Sequence, residues 1–392
     1  MAVEVPLLIL GGGCAGLSLA SRLASFGSRI PRTLVLESRG TYGNDRTWCF
    51  WSNPSLGVDH LIAHEWRELR VRGAGTEVIV DCSVLPYQML MGDRFYADSV
   101  ARVAQNSRIA LLTDAGVLGE PRHEGERWHV STRLGAFRAA RVIDTRPCGV
   151  PMAGRALLWQ SFCGAEVSCA NSVFDPSRAI LMDFDDCSGE VVKFRYVLPT
   201  SPTTALIEST VFDREPRSAA ELAPSLCAAI GQQVGSAEHR VIRREHGVLP
   251  MGLMRRGGDF DGSYVNAGVA AGAARASTGY AFQRIQRWAA LCAASIATGG
   301  PIIGHPREPG WRSLMDRIFL QVLRTHPERA PQVFTQLFAQ AASARVTRFL
   351  SDRGSLVDQA AVIAALPTGL FLSCLPELVF TGFRRRRPGL AA

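Results

Sequence analysis

Val5-Pro6-Leu7-Leu8-Ile9-Leu10-Gly11-Gly12-Gly13-Cys14-Ala15-Gly16-Leu17-Ser18-Leu19-Ala20 is the stretch that decides the fold. Val5 to Leu10 is a short apolar run, suited to a strand buried on both faces of a parallel sheet. It enters a Gly-x-Gly-x-x-Gly turn made by Gly11, Gly13 and Gly16. Leu17, Leu19, Ala20, Leu23 and Ala24 then give a helical apolar face that ends near Gly27, and Thr33 to Leu36 reads as a second strand closed by Glu37. In such a unit the first glycine lets the chain turn tightly. The second lets a pyrophosphate approach the backbone, and the third lets helix and strand pack closely. The helix start adds free N–H groups and a partial positive charge. Glu37 stands twenty-one residues beyond Gly16, at the distance where a carboxylate accepts hydrogen bonds from an adenosine ribose. The unit therefore predicts a bound dinucleotide, without saying which one.

Three further segments carry chemistry-bearing residues. Asp45-Arg46-Thr47-Trp48-Cys49-Phe50-Trp51 follows the acid-bearing strand. It reads as a loop whose aromatics line a pocket, or else as a buried corner with a local Asp–Arg pair. Tyr196-Val197-Leu198-Pro199 to Leu206-Ile207-Glu208-Ser209-Thr210 reads as strand, turn, strand. Alternation puts Glu208 on one face with Leu206 and Thr210, opposite Ile207 and Val211. In dry surroundings that carboxyl keeps its proton and serves as a general acid; on a wet sheet face it is an ordinary exposed glutamate. Gly247-Val248-Leu249-Pro250-Met251-Gly252, Asn266-Ala267-Gly268 and Ser277-Thr278-Gly279-Tyr280 precede a helix expected over 282–297. They offer a second, late grip on a long cofactor through Gly268, Ser277, Thr278 and Gly279.

The rest of the chain bounds the answer. Its 392 residues are ample for two domains, and 47% apolar with 20% charged residues is the composition of a folded protein. The net charge of +8 suits an anionic cofactor or an anionic lipid surface. No basic stripe with interleaved aromatics argues for nucleic acid. The ten cysteines include no Cys-x-x-Cys, so no metal site or disulfide framework is expected. The start, Met-Ala-Val-Glu-Val-Pro, lacks the basic region of a signal peptide, and no apolar run of about 18 residues predicts a membrane span. From Leu366 to Phe383 apolar residues are interrupted by Pro367, Pro376 and Glu377, and Arg384-Arg385-Arg386-Arg387 follow. Leu366, Leu370, Phe371, Leu372 and their successors are expected to lie on a membrane surface, with the arginines on anionic headgroups.

Taken in order, these segments make the chain resemble the lycopene cyclase family of flavoproteins, most of all its bacterial beta-cyclase branch. The Asp45-to-Trp51 run and the Leu-Ile-Glu-x-Thr segment at Leu206–Thr210 are the specific elements. The Gly247-x-Leu249-Pro250 segment, Ser277-Thr278-Gly279-Tyr280 and the tail run Arg348-Phe349-Leu350-Ser351-Asp352 complete the set. The chain departs from the family in having Ala276 before the Ser-Thr-Gly-Tyr run, where proline is usual. It also departs from many related flavoproteins in having Asn266-Ala267-Gly268 where an aspartate binds the ribityl chain.

The resemblance implies FAD, active when reduced by NAD(P)H as a transient donor, and a redox-neutral closure of the acyclic ends of lycopene to beta-ionone rings. It implies Glu208 as the catalytic acid, and a substrate pocket of Asp45, Arg46, Thr47, Trp48, Phe50, Trp51, Tyr196 and Tyr280. The expected fold is α/β. A discontinuous Rossmann-like FAD-binding domain (1–60, 85–156, 245–305) carries an inserted antiparallel-sheet substrate domain (61–84, 157–244) and a helical C-terminal region (306–392). The expected location is cytoplasmic, peripheral on the membrane, with no obligate protein partner. Two other activities fit the same residues: an oxygen-using epoxidase or hydroxylase, and a non-enzymatic membrane-associated carotenoid carrier with a structural flavin.

Overall fold

The computed structural model describes residues 3–147, 156–184, 189–252 and 262–374. The chain begins β1 (Val3–Leu10), α1 (Cys14–Ala24), β2 (Thr33–Leu36), β3 (Thr47–Trp51), β4 (Ile62–Trp66), β5 (Glu68–Gly73), β6 (Thr76–Asp81) and β7 (Tyr87–Met91). It continues through α2 (Gly92–Ala104), β8 (Ile109–Leu112), β9 (Arg122–Glu124), β10 (Arg127–Thr132), β11 (Gly135–Asp144), β12 (Leu158–Cys169), β13 (Arg178–Asp183), β14 (Val192–Pro199) and β15 (Thr204–Asp213). Then come α3 (Ala219–Val234), β16 (His239–Met251), β17 (Tyr264–Asn266), α4 (Phe282–Ala297), α5 (Gly310–Thr325), α6 (Ala330–Gln340), α7 (Ser343–Leu350), α8 (Leu356–Ala364) and α9 (Thr368–Ser373).

The opening apolar run behaves as its composition dictates. Leu7 to Leu10 have no accessible surface and lie inside the first sheet, ordered β8-β2-β1-β11-β10-β9, with β17 beside β11. β8, β2, β1, β11 and β17 are parallel, and β9–β10 add an antiparallel edge. Alternation splits the run between two cores. Leu7 and Ile9 meet Leu19 and Leu23 of α1 and Trp288 and Cys292 of α4, while Leu8 and Leu10 meet Trp128, Val130 and Tyr264.

The second sheet is ordered β16-β12-β15-β14-β13-β5-β6 and is antiparallel except where β13 meets β5. On one face Val167, Ile207 and Val211 are covered by Leu222, Leu226 and Ile230 of α3. On the other, Leu198, Leu206 and Phe194 join Leu320, Leu323 and Phe334 of the C-terminal helices. A third sheet, β3-β7-β4, links the two bodies. Its Trp51, Trp66 and Tyr87 enter the core of the second sheet, and its Phe50 and Leu90 enter a cluster with Leu17 and Phe282.

One sequence expectation needs correction here. Residues 47–51 are a strand and not a loop, paired with β7. The physical reason is plain in Thr-Trp-Cys-Phe-Trp, whose β-branched and aromatic side chains favour a pleated, two-faced surface. β16 also runs unbroken through residue 245, where a domain boundary is expected, and pairs with β12 on both sides of it.

Candidate active site

The three glycines of the first turn differ in what surrounds them. A methyl group on Gly16 would stand 1.9 Å from the Gly11 carbonyl oxygen, so this glycine lets α1 close on β1. Gly11 has φ +92°, a left-handed conformation that favours glycine. A methyl group on Gly13 would meet nothing nearer than the Arg39 guanidinium at 4.0 Å. Gly13 opens α1, whose first turn has no acidic residue and no side-chain cap. The result is an open space beside free N–H groups at a positive helix end, which is what a pyrophosphate needs.

Glu37 is buried beneath this turn, where its Oε2 accepts from the Gly12 N–H at 2.7 Å and its Oε1 from the Arg39 N–H at 2.8 Å. Burial alone would raise its pKa, but the hydrogen bonds from the Arg39 side chain and backbone outweigh it and hold the carboxyl below its ordinary value. Glu37 therefore stays ionised, and it lines the same cavity as Gly11 and Gly13.

That cavity, of about 820 Å³, runs from the glycine turn past β3 to the second sheet. Asp45, Arg46, Thr47, Trp48, Phe50, Trp51, Tyr196 and Tyr280 all line it, as do Gly268, Thr278 and Gly279. Alternation along β3 builds two aromatic walls. Trp48 and Phe50 meet Phe282 at ring-centroid distances of 5.4 and 5.0 Å. Trp51 meets Tyr87 and Tyr280 at 5.1 and 5.5 Å. Burial raises the pKa of the Tyr87, Tyr196 and Tyr280 hydroxyls, so the walls stay neutral. Ser277 is not among the lining residues, because its hydroxyl donates to buried Asp316 at 2.7 Å. Gly16 likewise serves packing and does not line the cavity. At the late grip the Gly268 N–H is engaged by His305 Nε2 at 2.9 Å. Beside Gly279, the buried Gln160 Oε1 has no hydrogen-bond partner among the described residues.

Glu208 projects into this cavity from β15, half-buried, flanked on its own face by buried Leu206 and Thr210. It has a neighbour that sequence patterning misses. In the central strand β12, Gly164 pairs with Glu208 on one side and with Glu245 of β16 on the other. The two glutamates thus stand on one face of the sheet with only a glycine between them. A methyl group at Gly164 would sit 2.9 Å from Glu208 Cγ and 3.2 Å from Glu245 Cγ. Glu245 is 5% exposed and is fixed from two directions. Thr47 donates to its Oε2 at 2.8 Å, and Arg243 forms a close ion pair with the same oxygen. Arg243 also donates to Thr47 Oγ1 at 2.7 Å and to Glu166 Oε2 at 2.6 Å.

The electrostatic result is asymmetric. Glu208 is pushed well above the ordinary carboxylate range by burial first, then by the charge of Glu245 and a hydrogen bond to it, with Arg243 only partly opposing. A carboxyl so placed keeps its proton to higher pH than a free one, beside a carboxylate held by Arg243 and Thr47. That is the environment of a general acid. Thr47, expected as a pocket residue, is the link that holds Glu245 in place from the other side of the cavity.

The chain matches the lycopene cyclase protein family over residues 6–373, nearly its whole length. It belongs to the lycopene cyclase family. Among curated relatives, the lycopene beta-cyclase of Pantoea ananas is 25% identical, covering 96% of this chain and 98% of that one. The lycopene beta-cyclase of Paracoccus sp. (strain N81106 / MBIC 01143) is 27% identical over 72% of this chain and 74% of its own. Two solved structures share the fold at low identity. A geranylgeranyl bacteriochlorophyll reductase-like protein of Thermoplasma acidophilum has TM-score 0.62 at 14% identity, covering 95% of this chain and 99% of that one. A flavin-dependent brominase has TM-score 0.63 at 12% identity, covering 97% and 100%. The shared architecture is a Rossmann-like, mostly parallel sheet joined to an antiparallel sheet and C-terminal helices.

Proposed function

We propose that this family member is an FAD-dependent lycopene beta-cyclase, and that the Glu208–Glu245 pair across Gly164 carries the reaction. The residues of the first turn fit an adenine dinucleotide: Gly11 and Gly13 with the start of α1 would hold the pyrophosphate, and Glu37 would meet the ribose. Gly268, Thr278 and Gly279 with Gln160 would form the far end of that site. When bound in its NAD(P)H-reduced form, FAD would supply a negative charge beside the substrate cavity. The first sheet with α1 and α4 is then the cofactor-binding part, and the second sheet the substrate-binding part.

The remaining chemistry falls to the chain's own side chains. Glu208 gives its proton to the terminal double bond of an acyclic lycopene end. A tertiary cation results, the nearer double bond attacks it, and the ring closes. That attack moves the positive charge to a ring carbon, and loss of the proton from the neighbouring ring carbon to the carboxylate pair forms the ring double bond and restores the acid. One proton enters and one leaves, so no net oxidation occurs. The product is gamma-carotene after one closure and beta-carotene after two. Between the two proton transfers the pair carries two negative charges against Arg243, an arrangement that stabilises a nearby cation. Trp48, Phe50, Trp51 and Tyr196 exclude water and offer π faces to that cation.

Expression in a lycopene-accumulating host, followed by pigment separation and mass measurement, tests the proposal. Cyclic products of unchanged mass are expected. A product heavier by oxygen would replace the cyclase with an epoxidase or hydroxylase, and unchanged lycopene in the presence of bound flavin would favour the carrier.

A further inference from the structure

The C-terminal helices contain an element whose polarity is reversed. α8 begins at Ser355, whose hydroxyl accepts from the Asp358 N–H while the Asp358 carboxylate accepts from the Ser355 N–H. Asp358 is buried and takes two hydrogen bonds from Arg348, at 2.6 and 3.0 Å. Gln359, also buried, donates to the Gly354 carbonyl at 3.3 Å. The inward face of α8 therefore carries an acid and an amide along with Val362 and Ala365. Its outward face is Leu356, Val357, Ala360, Ile363 and Ala364, all exposed and all apolar. At 100° per residue these five fall within about 120° of arc, a continuous stripe. Leu356, Val357 and Ile363 are 78%, 62% and 50% exposed, the reverse of what a helix on a soluble core shows.

Two arginines that pair with no acid among the described residues flank the stripe, Arg345 and Arg353, the latter donating to the Ser52 carbonyl at 3.4 Å. Between residues 341 and 374 the only acids are Asp352 and Asp358, each paired with arginine, whereas Arg353 is exposed and Arg345 reaches the Val357 carbonyl at 3.5 Å. Leu350, Ser351 and Asp352, just ahead of this helix, line the substrate cavity. By contrast, Leu366, Leu370 and Phe371, expected on the membrane, pack inward against Val322 and Val333, leaving Leu372 exposed. Residues 375–392, with Arg384–Arg387, lie outside the described residues.

We infer that α8 is a membrane-docking element that lays Leu356, Val357 and Ile363 into the acyl boundary of an anionic bilayer, with Arg345 and Arg353 among the headgroups. The inference deepens the proposed function, because a long hydrocarbon substrate resides in such a bilayer and α8 joins it to the cavity within six residues. The stripe is short and non-spanning, and among the described residues no helix is long and apolar enough to cross a membrane.

Flotation of the full-length protein with phosphatidylcholine vesicles, with and without phosphatidylglycerol, tests it. The parent is expected to float, more strongly with phosphatidylglycerol and less at high salt. A triple variant, Leu356→Gln with Val357→Gln and Ile363→Gln, changes only exposed positions to residues that favour helix, so circular dichroism should be unchanged. Its vesicle binding should fall more than about tenfold. Arg345→Gln with Arg353→Gln should lose about severalfold, and only on vesicles containing phosphatidylglycerol. Parent and triple variant should convert detergent-dispersed lycopene alike, while only the parent converts lycopene delivered in vesicles. If neither converts dispersed lycopene, the cyclase reading fails and flotation still decides docking. Equal flotation of parent and triple variant overturns the inference. So does a parent that sediments as a dimer and becomes a monomer in the triple variant, since a second copy would then be the occupant.

Discussion

The turn at Gly11–Gly16 and the strand trio around Gly164 both make room by omitting a side chain, yet they are built on different scales. In the turn the three glycines sit within six consecutive residues, and the helix that follows provides the charge. At Gly164 the room exists only because three strands, distant in sequence, bring Gly164, Glu208 and Glu245 into one register. A local site survives small shifts elsewhere, whereas a cross-strand site is lost if one strand slips by a residue, since every side chain then changes face. The comparison teaches where perturbation should hurt folding, where it should hurt binding, and where it should hurt only chemistry.

The largest expected effect tests the chemistry. Glu208→Gln keeps the shape of the side chain and removes the proton. Cyclase turnover should fall by about 10²- to 10⁴-fold, the usual contribution of a general acid. Flavin content should be unchanged, because Glu208 lies on the second sheet and the glycine turn on the first. If turnover stayed within a few-fold of the parent, the carboxyl would be no more than part of the cavity wall, and the trio would lose its claim to the reaction.

Next is the contrast within the turn itself. Gly16→Ala places a methyl group 1.9 Å from the Gly11 carbonyl oxygen, so backbone must move. A loss of about 1–3 kcal/mol in unfolding free energy is expected, visible as a lower midpoint in denaturant. Gly13→Ala meets only the Arg39 guanidinium at 4.0 Å, so the apoprotein should unfold as the parent does. Its FAD affinity should nevertheless fall, because the methyl group occupies the approach to the helix N-terminus. Equal FAD binding by Gly13→Ala and the parent in a fluorescence titration would move the cofactor away from this turn.

These differences in scale also explain what could be read from the sequence. Gly11, Gly13, Gly16 and Glu37 form a one-dimensional signal, strand then turn then helix then acid. The sheet they enter follows from the apolar run at 5–10, and α4 is the helix expected over 282–297. Glu208 could be named but not weighed, because alternation assigns it a face without saying whether that face is wet. Only the third sheet, with Trp51 and Tyr87, and the C-terminal helices, with Leu320, Leu323 and Phe334, cover that face and make it dry. Glu245 could not be found at all. Its strand carries Arg240, Arg243, Arg244 and His246 and reads as solvated, and an expected boundary at 245 separates it from Glu208. A faint signal existed in Gly164, a glycine in the middle of a strand, which marks a close approach by something else. In the sequence Thr47 reads as one more lining residue among the aromatics of the 45–51 run. Its link to Glu245 needs the third sheet to be in place.

A smaller effect isolates the partner. Glu245→Gln removes one of the causes that raise the Glu208 pKa, while Arg243, which lowers it, remains. The Glu208 carboxyl should therefore ionise at lower pH than in the parent. Since the protonated form is the active acid, the alkaline limb of the pH–rate profile should move toward lower pH. Turnover at its new optimum should fall less than in Glu208→Gln. An unmoved alkaline limb would mean that the two carboxyls do not interact, and that Gly164 is a glycine for packing alone.

The smallest effect concerns stability and needs no substrate. A carboxyl whose folded-state pKa is raised binds more protons in the folded than in the unfolded chain at any pH between its two pKa values. Over that window stability falls as pH rises. Below the unfolded value, near 4.3 for glutamate, both states are protonated and Glu208 makes no pH-dependent contribution. Above it the unfolded chain ionises freely while the folded chain, with Glu208 held among Leu206, Thr210 and Glu245, resists. Glu208→Gln abolishes this difference. The variant should match the parent in thermal midpoint below about pH 4 and exceed it progressively as pH rises toward the raised folded-state pKa, opposite in sign to its loss of activity. Paired melting curves at a series of pH values would measure the gap directly. A gap that did not widen with pH would show that Glu208 ionises in the folded protein as it does in water, and that the glycine gap at 164 admits solvent and not substrate.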